Sequence, residues 1–157
     1  MMRWRNPLYT PSRSFTGLQA KFLGISLTNS SSISVATGIG VPTILTWDTE
    51  NFSRSGAHSL TLNPSRIIVP FAGKWLVLVR VLWPADATGT IRRIRTIKSG
   101  VAQYADTIPA VALITFASLS IVLSLARNDY IEVDADHDAT PSLSVVPQDF
   151  TTLFVSS

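Results

Sequence analysis

The sequence predicts an all-β sandwich or barrel. Segments typical of β-strands recur at intervals of roughly 8–12 residues, and clusters of turn residues separate them. No amphipathic helix with capping residues competes with these segments. A chain of 157 residues is long enough for one domain with a hydrophobic core and is short for two domains. We therefore expect a single β-domain.

The strand-like segments follow one another after an irregular stretch, residues 1–24, which Pro and Gly interrupt. A small polar loop, "LTNSSSISVATG", leads towards a strand, and each later segment ends in a turn such as "SRSGAHS", "PADATGT" or "ARNDY". In chain order the segments are "TILTWDTENF", "LTLNPSRIIVP", "KWLVLVRVLW", "IRRIRTIKSG", "VAQYADTIPAV", the apolar run 109–126, "IEVDAD" and "LSVVPQDFTTLFVSS". This order gives about eight to ten short strands.

The apolar stretch "SRIIVPFAGKWLVLVRVLW" contains a break at Pro70 and Gly73. Proline cannot donate a hydrogen bond to a β-ladder, and glycine adopts backbone conformations that other residues avoid. The segment "VPFAGKW" is therefore predicted to be a tight connection between two strands.

The strand after this connection is apolar on both faces, with Arg80 as the exception. A strand with one wet face would alternate more cleanly between apolar and polar residues. We therefore expect a neighbouring subunit to cover the second face. The predicted subunit interface consists of Trp75, Val77, Val79 and Trp83.

The segment from Pro109 to Ala126 has 18 residues without charge, which only reaches the lower limit for a membrane-spanning helix. Its second half alternates with a period of two residues. We expect a buried strand, or two strands with a bend near Ala117 and Ser118, and no membrane partner.

Charge is unevenly distributed along the chain. Residues 1–21 carry four basic residues and no acidic one, whereas the remainder carries nine basic and ten acidic residues. The amino terminus is therefore a basic arm, interleaved with aromatic side chains of the kind found at interface hot spots. Its predicted partner-binding residues are Arg3, Trp4, Arg5, Tyr9, Arg13 and Phe15. A disordered tail and a nucleic-acid contact are the alternatives for this arm.

Three stretches resemble the complement-type globular heads, which share a jelly roll with tumour necrosis factor. Residues 65–83 resemble that family's G-x-F-x-V-P-x-x-G-x-Y-x-F stretch, with Ser65 in place of Gly, Ile67 in place of Phe and Trp75 in place of Tyr. "LSLARNDYIEVDAD" resembles the L-x-L-x-x-G-D-x-V-x-L turn and strand, with Asn128 in place of Gly. "FTTLFVSS" resembles the closing F-S-G-F-L-L strand without its Gly.

The resemblance covers roughly residues 33–157. It implies a ten-stranded jelly roll and a homotrimer, without catalytic residues or cofactors. We expect the jelly-roll domain to span residues 25–157 and the basic arm to span residues 1–24. Family members range from complement recognition to bacteriophage capsid and fibre proteins. The chain has no cysteine and no collagen-like repeat, and its start lacks the apolar region of a signal peptide. We therefore expect a trimeric phage decoration protein on the capsid surface of the virion, bound to the major capsid protein or another virion protein.

Two charged clusters are candidates for chemistry. The stretch "DADHD", Asp134 to Asp138, could offer oxygen ligands to calcium, but it lacks EF-hand spacing, so we expect a solvated strand end and no metal. The run "IRRIRTIK" could bind phosphate. A solvated face, or one forming intersubunit salt bridges, is the expectation for its basic residues, Arg92, Arg93, Arg95 and Lys98.

Enzymatic interpretations lack residues to support them. The two histidines, His58 and His137, belong to no G-x-S-x-G, P-loop or H-E-x-x-H motif. The first alternative to a decoration protein is the receptor- or glycan-binding head of a tail fibre. The second is a glycoside-active or other jelly-roll enzyme, which would need a pair of carboxylates facing a cleft.

Overall fold

The computed structural model describes residues 23–53 and 57–157, which form two antiparallel β-sheets and no α-helix. The strands are β1 Gly24–Thr28, β2 Ile33–Val35, β3 Thr43–Ile44, β4 Thr49–Ser53, β5 Ile67–Ile68, β6 Gly73–Trp83, β7 Asp86–Lys98, β8 Val101–Val111, β9 Thr115–Leu125, β10 Tyr130–His137 and β11 Leu143–Ser156. The predicted all-β class is confirmed. The predicted arm over residues 1–24 falls almost wholly outside the described residues.

The strand order in the two sheets is that of a jelly-roll sandwich. The six-stranded sheet has the order β4-β1-β11-β6-β9, with β2 paired to β11. The five-stranded sheet has the order β3-β10-β7-β8, with β5 paired to β10. Strands distant in sequence, such as β1 and β11, are therefore neighbours, as Greek-key connections require.

The break at Pro70 and Gly73 is where the chain crosses from one sheet to the other. β5 belongs to the five-stranded sheet and β6 to the six-stranded sheet, so the short connection predicted there is confirmed. Gly73 is required by close packing, because a Cβ at this position would lie 2.5 Å from the Phe154 ring and 2.6 Å from the Ser156 carbonyl oxygen.

The core lies between the sheets, and one face of β6 fills its centre. Every second residue of this strand from Trp75 to Trp83 is at most 3% exposed. At one end of the core, the rings of Phe71, Trp75 and Phe154 pack against one another with centroids 4.8–5.4 Å apart. Aromatic pairs at such distances stabilise a core by about 0.5–1.5 kcal/mol beyond the burial of their area.

This packing corrects the predicted subunit interface. Trp75, Val77, Val79 and Trp83 are buried within their own chain, so their side chains cannot line a contact with another subunit. The expectation that both faces of β6 are apolar was right, but the face assigned to the neighbour is the core face. Both faces of β6 are apolar in the sequence, so the sequence alone does not show which face is buried. Only the position of the second sheet distinguishes the two faces.

The apolar run over residues 109–126 spans the crossing from β8 to β9. The turn falls at residues 112–114, and β9 continues through Ala117 and Ser118 without the bend expected there. The alternation predicted for "LSIVLSL" is confirmed, since every second residue from Leu119 to Leu125 is buried or half-buried and the residues between them are exposed. Within the described ranges, no helix is long and apolar enough to cross a membrane.

Candidate interaction surfaces and charged clusters

The acidic and basic runs lie side by side on adjacent strands. In the antiparallel register of β10 and β7, Asp134 is opposite Arg95 and Asp136 is opposite Arg93. Arg95 donates from Nε and Nη2 to the two Asp134 oxygens at 2.9 and 2.8 Å, and Arg93 makes the corresponding pair of bonds to Asp136. Bidentate pairs of this kind are the strongest ion pairs that proteins form.

A third acid of the same face has its own partners. Glu132 accepts hydrogen bonds from Arg66 Nε at 2.9 Å and from Ser65 Oγ at 2.8 Å. The guanidinium carbon of Arg66 lies 4.1 Å from the centroid of the Tyr130 ring. We call the three carboxylates and their arginines the ionic ladder; its members are Glu132, Asp134, Asp136, Arg66, Arg93 and Arg95.

The ionic ladder corrects two sequence predictions. Asp134 and Asp136 are 2% and 1% exposed, so the acidic run is not a solvated strand end. Arg93 and Arg95 form their salt bridges within the chain, so they are neither free in solvent nor reserved for another subunit. Cross-strand register, which the sequence does not reveal, decides both outcomes.

The carboxylates of the ionic ladder, which were candidate calcium ligands, are already bound to arginines. Each carboxylate accepts from at least one guanidinium, and no group of three or more acidic or histidine side chains within residues 23–53 and 57–157 is arranged to hold a metal ion. The chemistry of this surface is therefore structural pairing between strands.

Burial and the neighbouring positive charges have opposite effects on the pKa values of Asp134 and Asp136. Burial raises the pKa of Asp134, and the hydrogen bond and positive charge of Arg95 only partly offset it. For Asp136 burial is again the largest single effect and acts upward. The bonds from Arg93 and from the Gly40 amide, together with the arginine charges, outweigh it and lower the pKa. Asp136 is consequently the more firmly ionised member.

Asp138 lies beyond the end of β10 and binds the start of β7. Its carboxylate accepts from the Thr90 and Ile91 amides at 2.7 and 2.9 Å and from the Thr90 hydroxyl. These bonds, led by that of Ile91, lower its pKa to about 2. Gly89 lies within β7, where the pairing with β8 is irregular. Its φ is 75°, and a Cβ there would lie 2.6 Å from the Ala139 amide nitrogen, so this position requires glycine.

Arg92 and His137 lie opposite each other in register, on the core side of the five-stranded sheet. Arg92 was expected on a solvated or intersubunit face, and this is wrong: its side chain is fully buried and donates to the Asp86 carbonyl at 2.5 Å. The Trp83 ring lies near both side chains.

His137 makes three contacts through its two ring nitrogens. The Ala139 amide donates to Nδ1 at 3.1 Å. Nε2 lies 3.0 Å from the Val35 carbonyl oxygen and 3.3 Å from the Leu143 amide nitrogen. His137 therefore joins β2, β10 and the following loop, a role that its place beside an acidic run did not reveal.

The outer face of the six-stranded sheet carries apolar side chains that remain uncovered in the single chain, and we call it the open face. Phe116 and Val122 of β9 are 48% and 52% exposed on it. Three leucines of β6 are half-buried beside them, together with their register partners on β11. These residues are Leu76, Leu78, Leu82, Val146 and Leu153.

A depression lies in the middle of the open face. It has a volume of about 390 Å³ and is lined mainly by side chains of β6, β9 and β11. Small serines on β9, next to Leu78, leave this space. Its rim carries a loose ion pair, Arg80 to Asp149 at 3.7 Å, whose side chains are both about half exposed. The lining side chains are Leu78, Arg80, Ser118, Ser120, Asp149 and Thr151.

The second uncovered surface is β8, the last strand of the five-stranded sheet. Val101 and Tyr104 are 63% and 52% exposed, and most of the strand is accessible. Tyr104 is opposite the buried Thr96 in register, so its side chain leaves the sheet on the core side, yet about half of it remains exposed. Asp106 accepts from the Ser118 amide at 2.9 Å and joins β8 to β9.

The residues predicted for the arm, Arg3 to Phe15, lie outside the described residues, and their role stays a prediction. The open face and the β8 edge were not predicted as sites. A signal for the open face was nevertheless present, since Leu76, Leu78 and Leu82 form the second apolar face of β6.

The two sheets and their strand order define a class of fold, the jelly-roll sandwich. No protein-family model and no curated protein matches the sequence. Solved structures do match the fold. Murine APRIL is 16% identical, with a TM-score of 0.63, over 86% of this chain and 100% of its own.

Two further structures agree. The globular domain of zebrafish complement 1qA is 10% identical, with a TM-score of 0.62, over 86% of this chain and 98% of its own. Eiger TNF from S. frugiperda is 12% identical, with a TM-score of 0.59, over 87% of this chain and 94% of its own. At identities this low, the structural likeness establishes a shared fold and nothing further. The jelly roll implied by the sequence motifs is thus confirmed.

Proposed function

We propose that this protein is a homotrimeric binding and assembly module without catalytic activity. The observation that carries the proposal is the open face, where apolar side chains of three adjacent strands remain accessible in the single chain. Large accessible apolar patches on soluble proteins mark interaction sites. The fold shared with complement and tumour necrosis factor heads supports the same function.

The arrangement of the two uncovered surfaces supports a ring of subunits. The open face and the β8 edge are different surfaces of one sandwich, meeting along β9. A contact between different surfaces is heterologous, and it forms a closed ring when successive rotations add up to a full turn. Three copies, each placing its β8 edge on the open face of the next, would cover both surfaces.

The more specific proposal is a phage decoration protein located on the capsid surface of the virion. Its support comes from the sequence: a basic arm rich in aromatic residues precedes one compact β-domain. The arm would bind the major capsid protein or another virion protein. The receptor- or glycan-binding head of a tail fibre remains the alternative.

Light scattering of the purified chain tests the assembly. At micromolar concentration we expect about three times the chain mass of 17.1 kDa. A stable monomer would contradict the proposal, and a dimer would contradict the ring of three.

Co-sedimentation with bare particles of the parent virus tests the arm. Deletion of residues 2–16 should leave a folded trimer that sediments less with particles, because each aromatic or arginine anchor at a hot spot contributes on the order of 2 kcal/mol. Raising the salt concentration should weaken attachment of the intact protein only in part, since screening acts on exposed charges. Equal binding by both forms would contradict the role of the arm.

A further inference from the structure

We propose that the depression on the open face receives the Tyr104 side chain of a neighbouring copy of this chain. The inference rests on the proposed trimer and assigns one specific contact within it. It begins from two features that are incomplete in the single chain, a depression without an occupant and an aromatic side chain without a covering surface.

The size of the depression suits an aromatic ring. A cavity of about 150 Å³ is large enough to hold benzene. The depression has about 390 Å³, with Leu78 among its lining residues, and it is open to solvent on one side. A phenol ring could therefore enter without displacing the strands, and its apolar faces would contact the leucine side chain.

The rim suits the phenol hydroxyl. Buried tyrosines pack an apolar ring and still need a hydrogen-bond partner for the hydroxyl group. Ser118, Ser120, Arg80 and Asp149 offer both donors and acceptors around the depression. The Arg80–Asp149 contact is long at 3.7 Å and half exposed, so both groups can reorient towards a guest.

Tyr104 is the aromatic residue of the β8 edge, and its position makes it available to a neighbour. It leaves the sheet on the core side, as its partner Thr96 does, yet it is 52% exposed in the single chain. In the edge-to-face ring, this side chain approaches the open face of the next copy. An aliphatic residue of the same strand, Val101, offers no polar group to the rim.

Crosslinking between introduced cysteines tests the contact, because the natural chain has no cysteine to interfere. The test protein carries Tyr104→Cys and Ser120→Cys, and a short bis-maleimide reagent compensates for the lost length of the tyrosine. We expect covalent dimers and trimers on a denaturing gel. Matched controls carry either cysteine alone, or Tyr104→Cys with Ser31→Cys in an exposed loop on another part of the chain.

Light scattering of the same samples separates this inference from the proposed function. A trimer with no more crosslinking than the Ser31 control would overturn the Tyr104 contact and leave the trimer standing. A monomer would overturn both.

Substitutions without crosslinker give a second measurement. We expect Tyr104→Ala to raise the dissociation constant of the trimer at least tenfold. Ser120→Trp, which fills the depression, should raise it at least tenfold as well. Tyr104→Phe should have a smaller effect. Leu62→Ala, in an exposed loop outside β6, β8, β9 and β11, should have little effect. Unchanged dissociation in the first two variants, with folding confirmed by circular dichroism, would also overturn the inference.

Discussion

At the scale of single residues, polar and charged side chains of this protein join separate segments of the β-sandwich. Asp138 binds the backbone amides of Thr90 and Ile91 in β7, and His137 joins three segments. A carboxylate that accepts several hydrogen bonds as an anion is held ionised, and its folded-state pKa falls. Stability should therefore depend on pH through Asp138.

Asp138 provides the clearest case of pH dependence. Its pKa is about 2 in the folded protein, below the ordinary value of 3.8. Because the folded pKa is lowered, the contribution to stability is present above about pH 4 and is lost as the pH falls towards 2. Between about pH 4 and pH 2, we expect the melting temperature of the Asp138→Asn variant to fall less than that of the natural chain.

A second variant controls for the hydrogen bonds. Asp138→Ala should lower the free energy of unfolding at pH 7 by about 0.5–1.5 kcal/mol, since the Thr90 and Ile91 amides lose their acceptor and only water can replace it. The asparagine variant retains one acceptor oxygen and should cost less. Identical pH profiles for the Asp138→Asn variant and the natural protein, measured by thermal melting, would rule out this role of the carboxylate.

At the scale of elements, the ionic ladder fixes the register between β7 and β10. A shift by one residue would turn Arg93 and Arg95 towards the core and leave two buried aspartates without partners. Removing one member of a buried pair is costly because the remaining charge has neither water nor a partner. The ladder therefore makes alternative registers unfavourable.

A double-mutant cycle measures this coupling. We expect Arg95→Ala to lower the free energy of unfolding by about 3 kcal/mol, because Asp134 is left buried without its main partner. The double variant Arg95→Ala with Asp134→Ala should lose less than the sum of the two single variants. Additive losses in urea unfolding would mean that the pair is not coupled.

Chelation provides an independent check on the same cluster. Since the ladder carboxylates are bound to arginines, EDTA should leave the melting temperature nearly unchanged. A decrease of many degrees that calcium restores would show that these acids bind metal.

At the scale of the whole molecule, the sandwich covers its core but leaves the open face and the β8 edge accessible. Burial of apolar area contributes roughly 25 cal/mol per Å² removed from water, so an interface of standard size would gain considerably from these residues. Assembly therefore depends on residues that add little to folding of the single chain.

A charge on the open face should block assembly without unfolding the domain. Val122→Glu places a carboxylate at a position that is 52% exposed in the single chain and buried in the proposed trimer. We expect a folded monomer by light scattering and circular dichroism. Leu62→Glu, in an exposed loop away from both surfaces, is the matched control and should remain trimeric. A trimeric Val122→Glu variant would place the interface elsewhere.

The sequence by itself determined the all-β class, the short connection at Pro70 and Gly73, and the alternation within β9. These features are local, because propensity, turn chemistry and the two-residue period act within a few neighbouring residues. Which face of β6 is buried was decided only by the second sheet. The pairing of Asp134 with Arg95 and of Asp136 with Arg93 likewise required the register of strands about 40 residues apart. Burial and partners are non-local quantities, so a pattern of residue types could place the aspartates on one face but could not reveal that arginines cover them.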